Sequence, residues 1–410
     1  MLVENKYANR ASYSDDLRQV MSVAKAEESR RWLSYWPELS HEATPLWHLP
    51  RLAQDLKLAR VSIKDESKRA LLGSFKALGA PIALIRLILR QWPDSAFAAR
   101  DLFLGRHADR LRDFTVISAT DGNHGRALAA AAKSVGCRCV IVLHHNVSEE
   151  REASIAAFGA KVVRIAGNYD DSVQKAARLA RENGWYVVSD TSYDGYEEIP
   201  RDVMQGYGTI AAELLAQEGT APDDPCPYTH VFLQGGVGGL AAGIVSYFSE
   251  LYGERRPTFI VVEPQQADCL YQSAIQGRAA KATGSVDSVM AGLACGETSP
   301  LAWRFLQPAV DFFETVTDDD AVEAMRLLAA GSADDIPIVS GESGAAGLAG
   351  LVHLTRSPEL RQRTGLGPES RILLINTEGA TAPSVYEHLV GQSADTVLAS
   401  QVSWCRHASA

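Results

Sequence analysis

The chain alternates short apolar runs with longer segments of helical periodicity, and this alternation is the feature that most limits its fold. In the middle of the chain, strands are predicted at 114–118, 139–143, 161–165 and 186–190, and helices at 126–135, 148–158 and 169–183. The predicted strands are apolar over most of their length, whereas a strand with one solvent-exposed face would alternate apolar and polar residues. The pattern therefore predicts an α/β domain with a parallel sheet that helices cover on both faces.

The same alternation is found on either side of this region. Strands are predicted at 60–64, 230–233, 259–263 and 371–377, and helices at 76–92 and 240–252. A chain of 410 residues is too long for one compact core. We therefore expect two domains, or one large domain with an insertion. The weak pattern from about residue 398 predicts a disordered C-terminal tail.

Composition and charge exclude several classes of protein. The balance of 40 basic and 50 acidic residues gives a net charge of −10, which argues against a nucleic-acid partner. No run of apolar residues is long enough to span a membrane, and the N-terminus lacks the apolar segment of a signal peptide. The six cysteines show neither a CxxC pair nor a zinc-ligand spacing, so no metal site is expected. A cytoplasmic protein with reduced thiols is predicted.

Three segments, in a fixed order, carry the groups that pyridoxal phosphate (PLP) chemistry requires. Lys76 follows Ser74 and Phe75, the turn 119–125 is polar, and the turn 235–239 is rich in glycine. They could supply an amine for a Schiff base, a group that orients the ring, and backbone N–H groups for the phosphate.

Each segment also has a simpler interpretation when it is taken alone. Lys76 could be a surface lysine in a first helical turn, and Asn123 could merely shape the turn beside Gly122. The glycine turn could bind a dinucleotide, because such turns before helices bind anions in general. Glu263, at the end of the next predicted strand, keeps open a nucleotide-binding module without catalysis.

Taken together, the motifs resemble the fold type II PLP-dependent enzymes, which include threonine and serine dehydratases, serine racemase and threonine synthase. Within this group the chain looks most like the diaminopropionate ammonia-lyases. The matching motifs lie at 64–66, 73–79, 120–126, 190–191, 195–197, 292–297, 341–345 and 376–381. The resemblance implies a tryptophan synthase β-like fold of two three-layer domains with parallel sheets and PLP in the cleft. It also implies a large domain of residues 1–112 and 191–410, a small domain of 113–190 that closes on substrate, and a homodimer.

The resemblance implies a role for each matching residue. Lys76 would hold PLP as a Schiff base, Phe75 would line the cofactor site, and Asn123 would bond to the phenolic oxygen of the ring. Thr377 would offer a neutral hydroxyl to the pyridine nitrogen, which suits β-elimination because the leaving group promptly takes up the electrons of the carbanion. The phosphate would be held by the backbone of Gly236, Val237, Gly238, Gly239 and Leu240.

Asp121 is where the chain departs from the dehydratase pattern, which has serine or alanine before the Gly-Asn pair. An aspartate here would be a strong general base on the face of the cofactor opposite Lys76, and it could attract a substrate ammonium group. Asp190, at the end of a predicted strand, would add a second carboxylate, although it could instead form an Asx turn before Thr191. Two carboxylates suit a dicationic substrate.

The expected function is PLP-dependent α,β-elimination of 2,3-diaminopropionate, as both D and L enantiomers, to pyruvate and ammonia. Lys76, Asp121 and Asp190 would be catalytic, and Thr120, Asp121 and Asn123 would bind the carboxylate of this small amino-acid substrate. A serine or threonine dehydratase, or a serine racemase of the same fold, is the alternative. Free thiols are the default for Cys269 and Cys295, although their loop-like segments could bring them together as a disulfide.

Overall fold

A computed structural model describes residues 1–408, apart from 41, 121, 146, 168 and 222. The strands are β1 (Leu2–Glu4), β2 (Leu46–His48), β3 (Arg60–Asp65), β4 (Thr115–Ala119), β5 (Arg138–Leu143), β6 (Lys161–Arg164), β7 (Tyr186–Val187), β8 (His230–Gln234), β9 (Thr258–Pro264), β10 (Phe312–Val316) and β11 (Arg371–Asn376). The helices are α1 (Asp15–Val20), α2 (Val23–Leu33), α3 (Pro50–Asp55), α4 (Ala80–Gln91), α5 (Ala99–Phe103), α6 (Ala108–Leu111), α7 (Asn123–Val135), α8 (Glu149–Ala156), α9 (Tyr169–Asn183), α10 (Glu198–Gln217), α11 (Gly239–Tyr252), α12 (Cys269–Gln276), α13 (Pro300–Ala309), α14 (Asp318–Ala330), α15 (Ala346–Arg356), α16 (Pro358–Thr364), α17 (Pro383–Val390) and α18 (Ala394–Ala408). Short 3₁₀ turns lie at Glu66–Lys68, Ala70–Leu72, Phe75–Leu78, Gly253–Arg255 and Ala291–Leu293.

The first of two compact units comprises Met1–Val23, Thr44–Lys68 and Ile210–Ala410, and it is built on a seven-stranded sheet in the order β1-β10-β9-β8-β11-β3-β2. The five central strands are parallel, and the two edge strands run antiparallel to them. The central strands bury residues on both faces, with Phe232, Ile260 and Leu374 on one side and Leu233, Val261 and Leu373 on the other. The uniformly apolar strands are explained by this burial on both faces.

The second unit comprises Ala24–Ala43 and Arg69–Thr209, and its sheet has four parallel strands in the order β6-β5-β4-β7. Its strands all lie within the region 113–190 that the sequence assigns to a small domain. The unit is more extensive than that region because α4 and α5 pack against α7. Trp36 adds to this packing, since its indole N–H donates to Ser134 Oγ at 2.9 Å. This compact unit therefore extends beyond residues 113–190.

The C-terminal tail is helical, so the prediction of disorder from about residue 398 is wrong. Helix α18 extends from Ala394 to Ala408. The Gln401 side chain is buried and donates to the Pro337 carbonyl at 2.8 Å, and Trp404 packs against the core of the first unit. Few residues of this helix are strongly apolar, so its periodicity is weak in the sequence.

Among the described residues, no helix has both the length and the apolar character that a membrane span needs. The same part of the chain contains no group of three or more histidine, cysteine or acidic side chains placed to hold a metal ion.

Candidate active site

Lys76 lies in the 3₁₀ turn Phe75–Leu78, and not in an α-helix beginning at residue 76 as the sequence predicts. Ser74 begins this turn, because its Oγ accepts a hydrogen bond from the Lys76 backbone N–H at 3.4 Å. The α-helix that follows, α4, starts only at Ala80, where Pro81 in its first turn favours a helix start. Lys76 therefore occupies a tight turn of its own before the helix.

The Lys76 amine forms an ion pair with the Asp190 carboxylate. Nζ lies 2.5 Å from Oδ2, and the two side chains are 20% and 17% exposed. Burial by itself would raise the pKa of Asp190, but the positive charges of Lys76 and His124 and the hydrogen bond from Lys76 outweigh it. They hold the pKa of this carboxyl well below its usual value. Asp190 is thus an anion bonded to the amine.

The segment that leads into Asp190 lies beside the polar turn after β4, because β7 pairs with β4 in the second sheet. Ile117 pairs with Val187 in a parallel register, so the segments after both strands emerge at the same edge of the sheet. The Tyr196 hydroxyl donates to the Val187 carbonyl at 2.9 Å and accepts from the Ser189 N–H at 3.0 Å. Tyr196 therefore holds the short segment that leads into Asp190.

Aromatic rings and a histidine surround the amine. The Lys76 Nζ lies 5.1 Å from the centre of the Phe75 ring and 5.9 Å from that of Tyr207, and these two rings meet edge to face at 4.8 Å. His124 is buried, its Nε2 lies 2.8 Å from the Val188 carbonyl, and its Nδ1 lies 3.8 Å from Asp190 Oδ2. Burial lowers the pKa of His124 and raises that of the Tyr207 phenol.

The polar turn after β4 leads directly into α7, whose first residue is Asn123. Thr120 Oγ1 accepts hydrogen bonds from the N–H groups of Gly122 and Gly125 at 3.1 and 3.3 Å, so this side chain shapes the turn. The Arg126 guanidinium donates to two backbone carbonyls of the segment before Lys76. Asp121, which the sequence singles out, lies outside the described residues.

In the first unit, the glycine turn connects β8 to α11 and has the backbone of an anion-binding turn. Gly236 and Gly238 have φ angles of +64° and +98°, which favour glycine. The backbone N–H groups of Gly236, Val237, Gly239 and Leu240 make no hydrogen bond to any described residue. Those of Gly239 and Leu240 belong to the orphan N–H groups of the helix start, where the helix dipole favours an anion.

Thr377 lies at the same edge of the first sheet as the glycine turn. Strand β11 pairs in parallel with β8, with Leu374 opposite Phe232, so both strands end close together. The Gln234 amide donates to the Ile375 carbonyl at 2.7 Å and thereby ties the two strand ends to each other. Thr377 itself is buried directly after β11.

Glu263 does not support the nucleotide-binding alternative. Its carboxylate is fully buried and accepts the N–H groups of Leu270 and Tyr271 at 3.0 and 2.7 Å at the start of α12. Burial raises its pKa to about 8, against the effect of these hydrogen bonds. Because this carboxylate caps a helix, the glycine turn lacks the acidic partner that a ribose would need.

Cys269 and Cys295 are both reduced thiols, and both lie near Gly236. The Cys269 thiol donates to the Gly236 carbonyl at 3.3 Å, and Cys269 begins α12, although its sequence looks loop-like. Burial raises its pKa well above the usual value. A Cβ placed on Gly236 would lie 3.6 Å from Cys295 Sγ, so both thiols lie near this glycine and they form no disulfide with each other.

Each unit presents groups that fit a part of PLP. The second unit has an amine with a carboxylate counter-ion, and the first has a cluster of unbonded N–H groups and a neutral hydroxyl at neighbouring strand ends. The sequence motifs suggested no role for His124, Tyr196 or Tyr207. A signal for His124 was present, since a polar side chain directly follows Asn123 at the start of an alanine-rich helix.

Comparisons with known proteins agree with this chemistry. The family model described as "Pyridoxal-phosphate dependent enzyme" matches residues 38–378. The chain is 39% identical to a diaminopropionate ammonia-lyase of Salmonella typhimurium, across 91% of this chain and 95% of that protein. It is 34% identical to the Escherichia coli diaminopropionate ammonia-lyase, across 97% of both.

Solved structures give the same result. The holo form of the E. coli enzyme matches with a TM-score of 0.85 and 34% identity, across 95% of this chain and 96% of that one. Its complex with an aminoacrylate-PLP azomethine reaction intermediate matches with a TM-score of 0.83. A tomato threonine deaminase shares the fold at 22% identity and a TM-score of 0.71. The predicted fold type II architecture is confirmed. From its sequence and its fold, this chain belongs to the diaminopropionate ammonia-lyase family of PLP-dependent enzymes.

Proposed function

We propose that the protein eliminates the β-amino group of 2,3-diaminopropionate and, with one water, forms pyruvate and two ammonia molecules. The observation that carries this proposal is the Lys76–Asp190 ion pair at 2.5 Å, in a chain whose full-length relatives are diaminopropionate ammonia-lyases. An amine held in such a turn can form a covalent bond to an aldehyde and can later serve as a base.

The chain has groups that would bind each end of the cofactor. When bound, PLP supplies an electrophilic carbonyl and a ring that withdraws electrons from Cα of the substrate. Lys76 would bond to its carbonyl carbon, and Phe75 and Asn123 would bind and orient the ring. Thr377 would donate to, or accept from, the ring nitrogen without adding a charge, and the N–H groups of the glycine turn would bind the phosphate.

Proton transfer at the substrate is assigned to three side chains. Lys76, once the substrate amine has displaced it, would take the α-proton on its own face. Asp121 would take the proton on the opposite face, which would allow the other enantiomer to react. Asp190 would keep the Lys76 amine in place. Whenever that amine is protonated, the Asp190 carboxylate would compensate its positive charge.

Charge explains why a diamine suits this site better than a hydroxy amino acid. Asp190 is held as an anion, and Asp121 is a second carboxylate in the turn that would bind the substrate carboxylate, together with Thr120 and Asn123. Two acidic side chains attract a second ammonium group and can accept its hydrogen bonds. A dehydratase or racemase of serine or threonine has no such need.

An ammonia-release assay tests the proposal. The purified enzyme with PLP is offered D- and L-2,3-diaminopropionate, D- and L-serine and L-threonine at equal concentration, with pyruvate or the corresponding keto acid measured in parallel. We expect both diaminopropionate enantiomers to react with a higher kcat/KM than any hydroxy amino acid. Faster turnover of serine or threonine would establish the dehydratase alternative instead.

We also propose that residues 113–190 move toward bound substrate, that the protein is a cytoplasmic homodimer, and that a small amino acid is its partner. The resemblance to the family is the support for these three statements, and the reduced thiols suit a reducing compartment. Light scattering that reports a single chain in solution would contradict the dimer.

A further inference from the structure

One ring nitrogen of His124 makes a hydrogen bond within the fold, and the other makes none to the described residues. Because a carbonyl only accepts, the contact with Val188 requires that Nε2 carries a proton and donates it. Nδ1 is buried and has no hydrogen-bond partner among the described residues. It lies 3.8 Å from Asp190 Oδ2, the oxygen that also accepts from Lys76. A buried nitrogen thus lies near a carboxylate without a hydrogen bond to it.

Two basic groups share this one carboxylate. Lys76 approaches it from the 3₁₀ turn, His124 from α7, and the Tyr207 phenol faces Lys76 from α10. Burial lowers the pKa of His124, the Asp190 charge raises it, and the Lys76 charge lowers it again. A positive charge on Lys76 therefore disfavours a positive charge on His124.

A neutral Lys76 would leave Asp190 without a cation unless another group becomes charged. With Nδ1 unprotonated, the histidine presents a lone pair to the carboxylate, which is repulsive. With Nδ1 protonated, the same contact becomes an ion pair. An uncompensated charge in a buried site is strongly unfavourable, so loss of the Lys76 proton favours gain of one by His124.

We propose that His124 is a positioning residue that receives, through Asp190, the proton which Lys76 must lose before its amine can bond to the cofactor. The proton leaves Nζ of Lys76, passes along the Asp190 carboxylate and arrives at Nδ1 of His124, and no electrons are exchanged. A rotation of the carboxylate that closes the 3.8 Å gap to hydrogen-bonding distance is sufficient. This proposal rests on the proposed function, because it assigns PLP attachment to Lys76.

His124→Gln separates the proton role from the structural one. The glutamine amide can still donate to the Val188 carbonyl, but it cannot be protonated in place of Nδ1. His230→Gln is the matched control in the first unit, because His230 is also buried, its Nε2 lies 3.0 Å from the Thr364 carbonyl, and burial lowers its pKa too. Asp190→Asn removes the proposed path.

The measurement is the rate at which PLP attaches to the cofactor-free protein, followed by its absorption spectrum from pH 6 to 10. The wild type and His230→Gln should share one apparent pKa for attachment. In His124→Gln this pKa should rise by at least one unit. Each unit of that rise makes attachment at neutral pH about tenfold slower. In the Asp190→Asn background, His124→Gln should have no further effect.

A pH profile of His124→Gln equal to that of the wild type would overturn the proposal. His124→Asn supplies a second test, because it is also unable to titrate but is too short to keep the Val188 bond. The proposal predicts the same upward shift in both variants, whereas a purely structural role predicts a defect in His124→Asn alone. If PLP does not attach to the wild type at any pH, the proposed function itself has failed.

Discussion

The charge of Lys76 helps to hold Asp190 as an anion, so replacing Lys76 should also affect Asp190. Lys76→Ala removes the amine and leaves the Asp190 carboxylate without its nearest cation. We expect turnover to fall by several orders of magnitude and borohydride no longer to fix PLP to the protein. Mass spectrometry of the borohydride-treated protein measures this, and Lys161→Ala, an exposed lysine on β6, is the control that should keep the fixed cofactor.

The role of Asp121 is tested most sharply by comparing the turnover of the two enantiomers of the substrate. Asp121→Asn keeps the size of the side chain but removes its basicity. Loss of a general base typically lowers turnover about 10²–10⁴-fold, so turnover of D-diaminopropionate should fall by that order. The L enantiomer, for which we propose Lys76 as the base, should be affected much less. An equal rise in KM for both enantiomers would make Asp121 a substrate anchor and would refute its role as the second base.

At the scale of elements, a substitution at the start of α11 tests whether the glycine turn binds the phosphate. Gly238→Ala should weaken PLP binding, because φ is +98° and the new Cβ would lie 2.9 Å from Leu306 Cδ1. The left-handed conformation alone costs about 1–2 kcal/mol. Gly391→Ala is the matched control, since Gly391 has a φ of +86° next to a helix and open space around it. A cofactor titration should show weaker binding for Gly238→Ala only, and equal affinity for both variants would contradict the assignment.

Helix α18 makes a different prediction, which concerns stability. Gln401→Ala should lower the free energy of unfolding by about 1–3 kcal/mol, because it leaves the buried Pro337 carbonyl without its donor. Val402→Ala, at a half-exposed position of the same helix, should change it by less than about 0.5 kcal/mol. Urea unfolding compares the two. Equal small effects would show that the helix adds little to the folded core.

At the scale of the whole molecule, buried carboxyls give stability a dependence on pH. Glu314 is fully buried, and burial raises its pKa from 4.5 to about 7 despite the hydrogen-bonded His353 at 2.6 Å. Between these values the folded state holds a proton that the unfolded state has lost, so this group makes stability fall as pH rises from 4.5 to 7. Glu314→Gln should flatten that fall and gain stability relative to the wild type at pH 8.

Thermal unfolding at a series of pH values checks this expectation. Glu359→Gln is the control, because Glu359 is exposed on α16. It should leave the pH dependence of the wild type unchanged. If Glu314→Gln shows the same slope as the wild type, the buried carboxyl is not the group that causes it.

Much of the architecture could be predicted from local patterns. Strand β5 is predicted at 139–143 and observed at Arg138–Leu143, and α9 agrees at both ends. Local patterns misplaced Lys76, because a four-residue 3₁₀ turn and an α-helix start look alike before Pro81. They also missed α18, because its residues are held by contacts with residues distant in sequence. The strand predicted at 186–190 is too long, since only Tyr186–Val187 pairs with β4.

The sequence by itself determined the parallel sheets and the order of the motifs, because these depend on neighbouring residues along the chain. Only the tertiary structure decided that Lys76 meets Asp190, 114 residues away, and that a ring nitrogen of His124 lies near the same carboxylate. Pairing of β4 with β7 brings Asp190 and the start of α7, which carries His124, to one edge of the second sheet, and the 3₁₀ turn of Lys76 packs against α7. The physical reason is that strand pairing is non-local: any of several apolar strands could have lain beside β4, and the choice sets which side chains meet.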